Sequence, residues 1–182
     1  MIVILLSGKA EAGKDTFFTM AEEDCKDKVI KRIAFADALK KVACNMGWDG
    51  KKDAAGRRLL QDLGEVGRRY HPDLWVDKTV ETLKEFSQTA DIICFTDCRY
   101  PNELAGIKRV ELAGSTVVTV RIERPGHSIA ANQNHISETA LDDYSFDYTI
   151  VNDGTLADYR RKVRDALAVI HRELAAKEHG RL

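Results

Sequence analysis

The feature that most constrains this chain is a glycine-containing segment that lies directly between a strand pattern and a helix pattern. Apolar residues run from Ile2 to Leu6, the segment carries Gly8 and Gly13, and a helix pattern follows to about Glu23. Glycines permit a turn whose backbone N–H groups point inward, and the helix dipole and Lys14 add positive charge there. A surface turn would not explain the flanking strand and helix. The sequence therefore predicts a phosphate-binding loop with these contacts: Gly8, Ala12, Gly13, Lys14, Asp15 and Thr16.

The residues after the loop lysine bear on the type of enzyme. Asp15 follows Lys14 directly, so the hydroxyl arrives one residue later, at Thr16. This spacing favours a kinase of small molecules over a GTPase switch, and the chain has no N-K-x-D motif. The D-x-x-G string at Asp53–Gly56 follows a polar stretch and is interpreted as a chance match. Oxygen ligands suit Mg²⁺, and the candidates are Asp15, Thr16 and Asp97, partly through water.

Five short apolar runs alternate with segments of helical spacing. The runs are Ile2–Leu6, Val29–Phe35, Asp91–Thr96, Thr116–Ile122 and Tyr148–Val151. The predicted helices span Gly13–Glu23, Ala36–Cys44, a segment around Leu59–Arg69, Asp73–Leu83, Glu103–Leu112 and Thr155–Leu174. Such alternation predicts an α/β fold, a doubly wound parallel five-stranded sheet with helices on both faces. The 182 residues show no internal repeat or linker, so residues 1–182 are predicted to form a single domain.

Charge and composition exclude several classes of protein. Lys+Arg 28 against Asp+Glu 29 gives a net charge of -1, which provides no global positive field for binding nucleic acid. The apolar run at Ile2–Leu6 is too short for a membrane span or a signal-peptide core, so we expect a cytoplasmic protein without a membrane partner. The cysteines lack the spacing of a zinc site or redox pair and are expected to be free thiols. They are Cys25, Cys44, Cys94 and Cys98.

Further segments, in order along the chain, carry a resemblance to a known family. Besides the loop they are Phe35–Lys40, Leu60–Arg69 with Pro72–Val76, Thr96–Glu103, His135–Glu138, Phe146–Tyr148 and Asn152–Thr155. Over essentially its whole length the chain resembles the bacteriophage-type deoxynucleoside monophosphate kinases of the adenylate-kinase-like P-loop group. The resemblance implies a P-loop NTPase fold of the nucleoside monophosphate kinase type. It also implies that ATP, with Mg²⁺, phosphorylates deoxynucleoside monophosphates to diphosphates.

The acceptor side of this predicted site falls in a helical region at about residues 37–88 and at the end of the third strand. Gln61, Glu65 and Arg68 share one helical face, whereas an apolar stripe including Leu63 and Val66 is expected to face the core. The substrate-binding candidates are Asp37, Lys40, Gln61, Glu65, Arg68, Arg69, Trp75, Asp97, Arg99 and Glu103. Three alternatives remain open. Asp37 could serve only as a helix cap, the face with Gln61, Glu65 and Arg68 could simply be solvated, and Trp75 could pack in the core. Which of Arg68 and Arg69 binds substrate is left open.

Phosphoryl transfer needs positive charge that converges on the transferring group. Lys14, Arg99 and Arg124 are the catalytic candidates, with Asp97 placed to orient Arg99 or to hold magnesium. Arg124 opens a polar segment at about residues 123–138, which is predicted to be a lid because Pro125-Gly126 permits a hinge. An ordinary surface loop is the alternative. By resemblance, the adenine-side residues are Arg124, Asn152 and Gly154.

Two other functions stay open at this stage. One is another small-molecule P-loop kinase of the dephospho-CoA or phosphomevalonate kinase type, since the latter also resembles this chain at Gly13-Lys14-Asp15. The other is a nucleotide-binding regulator without turnover. The predicted partners are ATP and a nucleoside monophosphate. The sequence leaves open the accepted base, the preference between deoxyribose and ribose, and the oligomeric state, a homodimer included.

Overall fold

The computed structural model describes residues 1–110, 112, 114–126 and 135–179. Five parallel strands form one sheet in the order β2-β3-β1-β4-β5. They are β1 (Ile2–Ser7), β2 (Ile30–Ile33), β3 (Ile92–Cys98), β4 (Thr116–Glu123) and β5 (Tyr148–Val151). The helices are α1 (Lys14–Asp24), α2 (Phe35–Asn45), α3 (Ala54–Tyr70), α4 (Leu74–Phe86), α5 (Pro101–Lys108), α6 (Ile136–Thr139) and α7 (Leu156–His179). The predicted doubly wound parallel sheet is confirmed.

The sheet is covered by helices on both faces, because alternate side chains of its central strand enter two separate cores. Ile4 of β1 packs in a cluster with Phe17 of α1 and Tyr159 of α7. Leu5 packs in a second cluster that includes Val76 of α4 and residues of α2 and α5. Such strands, buried on both faces, are read from the sequence as continuous apolar runs. Because all five strands are parallel, their carboxyl ends lie along one edge of the sheet, where open α/β sheets bind ligands.

The starts of two helices differ from the prediction, one for a tertiary and one for a local reason. The second strand ends at Ile33, and Phe35 begins α2, since the Asp97 carboxylate accepts the N–H groups of Phe35 and Ala36 at 2.8 and 2.9 Å. The fifth helix begins at Pro101, two residues before the predicted Glu103, and ends at Lys108. The Asp97 cap therefore fixes the start of α2, and Pro101 at the first helical position fixes the start of α5, in preference to the starts that periodicity predicts.

The apolar stripe of α3 does not face the core, which corrects the prediction. Val66 is 53% exposed, and the buried positions of this helix are Gly56, Gly64 and Gly67. A Cβ on Gly67 would lie 2.5 Å from the Trp75 ring, so the glycines let α4 approach closely. At the start of the same helix, Asp53 accepts the N–H of Gly56, so the D-x-x-G string forms a helix cap.

The last helix continues to His179, past the predicted Leu174, and the short α6 was not predicted. The four cysteines are free thiols, as expected. In the described part of the chain, no helix has the length and apolar character that crossing a bilayer requires.

Candidate active site

The predicted phosphate loop lies between β1 and α1, and its two glycines are required by its geometry. Gly8 has φ 151° and Gly13 has φ 115°, values that side-chain-bearing residues rarely adopt. A Cβ on Gly8 would lie 2.4 Å from the Ile122 carbonyl oxygen, and one on Gly13 would lie 2.9 Å from Asn152 Nδ2. The loop is therefore pressed against β4 and against the chain that follows β5.

Three side chains from distant parts of the chain bond to the carbonyl groups of this loop. Asn152 Nδ2 donates to the Ala12 oxygen at 3.0 Å, and the Tyr159 hydroxyl donates to the Gly13 oxygen at 2.9 Å. Arg124 Nη1 donates to the Glu11 oxygen at 3.2 Å. Asn152 and Arg124, the predicted adenine-side residues, thus contact the loop backbone, while Gly154 lies in the exposed turn before α7. Tyr159 was expected only to pack in the core.

Lys14 is buried at the start of α1 and turns back onto the loop. Its Nζ donates to the Gly8 oxygen at 2.6 Å and to the Lys9 oxygen at 2.9 Å. Burial, and next the nearby Arg99 guanidinium, lower the pKa of Lys14 from 10.5 to about 8. A bound anion would raise the pKa of Lys14 again, because a negative charge nearby favours the protonated ammonium. Asp15 is exposed and Thr16 half-buried on the same first turn.

Arg99 follows β3 and points toward the loop, where Glu138 binds it. Arg99 Nη1 forms a salt bridge with Glu138 Oε1 and donates to the Ser137 oxygen at 3.1 Å. The other oxygen of the same carboxylate, Glu138 Oε2, accepts the Ala10 N–H at 2.8 Å. The sequence predicted that Asp97 either orients Arg99 or holds magnesium, but each Asp97 oxygen accepts a backbone N–H of α2. Glu138 was missed as a site residue, although it lies in the segment that carries the family resemblance.

A cavity of about 230 Å³ lies between the loop, α2, α3 and the segment after β3. Its walls include these predicted residues: Gln61, Arg68, Trp75, Asp97, Arg99 and Glu103. Arg68 lines it with its guanidinium 3.9 Å from the centre of the Tyr100 ring, whereas Arg69 is exposed. The geometry therefore separates the two arginines that the sequence could not distinguish.

Four predicted substrate residues do not line this cavity: Asp37, Lys40, Glu65 and Arg69. Asp37 pairs with Lys40 at 2.8 Å and with Arg32 at 3.2 Å. Glu65 lies 3.4 Å from His135 Nε2 at the surface. Trp75 lines the cavity, but its ring packs against α3 and its Nε1 donates to the Gly64 oxygen at 3.1 Å. The packing interpretation of Trp75 is the one that this geometry favours.

Glu103 is the most deeply buried carboxyl group in the cavity wall, with 4% exposure. Its Oε2 accepts the N–H groups of Arg99 and Tyr100 at 2.7 and 3.0 Å. Burial, and next the nearby Asp97, raise the pKa of Glu103 from 4.5 to about 7. The pKa of Asp97 is also raised by burial, against the pull of its two backbone N–H bonds. Glu103 thus holds the loop after β3 in shape, and Asp97 holds the start of α2 against β3.

A second cavity, of about 390 Å³, lies between the loop and the end of β4. Three cationic side chains, Lys9, Arg121 and Arg124, line it together with the carboxylates of Glu123 and Asp142. Arg121 Nη2 donates to Asp142 Oδ1 at 2.8 Å and Nη1 donates to Ser7 Oγ at 3.3 Å. Ala10 lines both cavities, so the loop separates them. Residues 127–134 of the predicted lid lie outside the described residues.

The family model of deoxynucleotide monophosphate kinase matches residues 18–163. The chain belongs to the deoxynucleotide monophosphate kinase family. The matched range includes β3, α6 and the cavity walls other than the loop itself, and it begins just after the phosphate loop. Family membership therefore rests on residues beyond the generic loop motif.

Two viral relatives share this similarity. An uncharacterized protein, ORF77, of Ictalurid herpesvirus 1 (strain Auburn) is 35% identical over 109 residues, which cover 59% of this chain and 46% of that protein. The deoxynucleotide monophosphate kinase of Enterobacteria phage T4 is 29% identical over 117 residues, 63% of this chain and 46% of the phage protein. The chain thus spans about half the length of these relatives.

Among solved structures, a sugar kinase from Janibacter sp. HTCC2649 aligns with a TM-score of 0.51 and 16% identity over 92% of both chains. Shikimate kinase from Aquifex aeolicus aligns with a TM-score of 0.50 and 14% identity, over 94% of this chain and 98% of that one. At these identities the likeness concerns the fold alone. This deoxynucleotide kinase family member thus shares its sheet and helix arrangement with other kinases.

Proposed function

We propose that this chain transfers the terminal phosphoryl group of ATP to a deoxynucleoside monophosphate. The observation that carries the proposal is the placement of two cavities on either side of one phosphate loop, with Ala10 in the wall of both. A phosphoryl group that passes from donor to acceptor must cross such a boundary, held by backbone N–H groups and by cations. Membership of the deoxynucleotide monophosphate kinase family supports the same reaction.

The cavity between α2, α3 and the loop after β3 suits the acceptor. It offers the Arg99 and Arg68 guanidinium groups, and arginine binds phosphate through paired N–H bonds. Gln61 supplies an amide for the base, and Leu39 and Leu60 supply apolar surface. The opposite cavity, lined by Lys9, Arg121 and Arg124, suits the triphosphate of ATP. A local excess of positive side chains attracts such a ligand.

Catalysis then depends on position and charge. A non-bridging oxygen of the acceptor phosphate attacks the γ-phosphorus of ATP, and the bond between that phosphorus and the bridging oxygen of ADP breaks. The products are ADP and a deoxynucleoside diphosphate, and no covalent intermediate forms. Lys14, whose Nζ lies on the loop, and Arg99, in the wall of the first cavity, stabilise the negative oxygens in the transition state.

The first turn of α1 is the best-suited place for protein ligands of Mg²⁺. Asp15 and Thr16 carry oxygen donors there, whereas both oxygens of Asp97 are already engaged by backbone N–H groups. Mg²⁺ held there would offset the negative charge of the ATP phosphates. The described residues contain no cluster of three carboxylate, histidine or cysteine side chains that could hold a metal.

The decisive experiment is steady-state kinetics with ATP, magnesium and a panel of nucleoside monophosphates. We expect turnover of deoxynucleotides and expect Lys14→Ala to reduce kcat at least ~100-fold with folding intact. Lys26→Ala is the matched control, because Lys26 is exposed beyond the far end of α1. ATP binding without turnover of any monophosphate would refute the proposal and favour a regulator. Turnover of an acceptor that is not a nucleotide would favour another small-molecule kinase.

Arg99→Ala tests which cavity holds the acceptor. We expect kcat/KM for the monophosphate to fall by about 30- to 150-fold, equivalent to ~2 to 3 kcal/mol, with a smaller effect on the KM for ATP. Arg109→Ala is the control, since that exposed arginine pairs only at the surface with Asp73, at 3.4 Å. A rise confined to the KM for ATP would place Arg99 on the donor side instead.

A further inference from the structure

Glu138 makes the kind of contacts at the phosphate loop that a bound phosphate would make. One carboxylate oxygen accepts a loop N–H, from Ala10, and the other is paired with the Arg99 guanidinium. Loop N–H groups and arginine are the donors that phosphate oxygens take in proteins. The Glu138 side chain is 10% exposed, so it is inserted between loop and arginine rather than held at the surface. Glu138 thus places a negative charge where the proposed reaction needs a phosphate.

The charges around this position favour an anion there. The Arg99 guanidinium is close enough to disfavour the charged form of Lys14, while Glu138 favours it. Incoming phosphates bring more negative charge than one carboxylate. Because like charges repel strongly at such short range, the carboxylate and a substrate phosphate would not share these donors.

The element that carries Glu138 is weakly attached to the rest of the fold. Helix α6 has four residues, none of them buried, and Ile136 is 53% exposed. Leu141, just after it, is 2% exposed and packs in the core beside α5. Segments with few buried apolar contacts open at low free-energy cost. The helix can therefore leave the loop while Leu141 stays anchored.

We propose that Glu138 is a built-in anion that occupies the phosphate position of the nucleotide-free enzyme and is displaced, together with α6, when substrate phosphate binds. It keeps Arg99 and the Ala10 N–H oriented toward the site before substrate arrives. The residue thus sets the affinity of the site for phosphate by competition. This inference rests on the proposed phosphate-binding role of the loop.

The test is calorimetric titration of the whole protein with inorganic pyrophosphate, without nucleotide or magnesium. Glu138→Gln keeps the shape and removes the charge, and we expect it to bind pyrophosphate at least about tenfold more tightly than wild type. Asp15→Asn removes the same charge near Lys14 without touching Ala10 or Arg99, so it measures the effect of charge alone. We expect its gain to be several-fold smaller.

A second ligand separates competition for phosphate from a general change in the site. Binding of the uncharged deoxynucleoside of an accepted monophosphate should be the same in wild type and Glu138→Gln. The inference would be overturned if Glu138→Gln and Asp15→Asn gained the same affinity for pyrophosphate, or if Glu138→Gln bound pyrophosphate more weakly than wild type. If pyrophosphate binds more tightly to Glu138→Gln but no monophosphate is turned over, the inference stands and the proposed kinase reaction fails. If neither protein binds pyrophosphate, both fail.

Discussion

Glu103→Gln should remove a pH-dependent loss of stability that the structure assigns to one buried carboxyl group. Glu103 is 4% exposed, and burial raises its pKa from 4.5 to about 7. Between these two pH values the folded protein retains a proton that the unfolded chain has released, so folding loses stability as the pH rises. At about 1.4 kcal/mol per pKa unit, the free energy of unfolding is lower by ~3 kcal/mol once the pH exceeds the folded-state pKa. Glutamine has nearly the same shape and cannot ionise, so the variant should escape this loss.

Urea unfolding of both proteins at about pH 5 and about pH 8 measures the effect. We expect the free energy of unfolding of Glu103→Gln minus that of wild type to be larger at the higher pH than at the lower pH, by about 2 to 3 kcal/mol. Comparison at two pH values cancels the contributions of groups that the substitution leaves alone. Glu81→Gln is the control, because Glu81 is exposed on α4. A difference between Glu103→Gln and wild type that is the same at both pH values would refute the reasoning.

Two further predictions concern the donor side of the loop. Arg124→Ala should lower kcat ~100-fold while the dissociation constant of ATP changes little, since the exposed arginine is expected to engage the transferring group after closure; a large loss of ATP affinity at unchanged kcat would contradict this. Tyr159→Phe should lower the free energy of unfolding by ~1 kcal/mol, because the hydroxyl donates to the Gly13 oxygen at 2.9 Å. It should also weaken ATP binding, and denaturant unfolding with ATP titration checks both; unchanged stability would show that this bond adds nothing.

The wall that α3 contributes to the first cavity shows how far helical spacing could predict a site. Gln61 and Arg68 share a face and both line the cavity, as the spacing indicated. Glu65 lies on the same face by spacing, yet it sits at the surface beside His135. Spacing gives the direction of a side chain around its own helix axis. The cavity is lined by Arg57, Leu60, Gln61, Gly64 and Arg68, which share one arc of α3, and Glu65 lies just past the edge of that arc. The width of the arc that faces the cavity depends on the elements packed around the helix, which spacing does not give.

The sequence by itself determined the phosphate loop, the five buried strands and the helices between them, because these depend on glycine conformations and on periodicity within a few residues. It also distinguished the family through segments that follow the strands. Only the tertiary structure decided which side chains meet across the sheet. Glu138 reaches Ala10 over 128 residues of chain, and Asp97 caps α2 over more than 60. Such pairs depend on the strand order, which brings β1 between β3 and β4, and no local pattern of residues specifies that order.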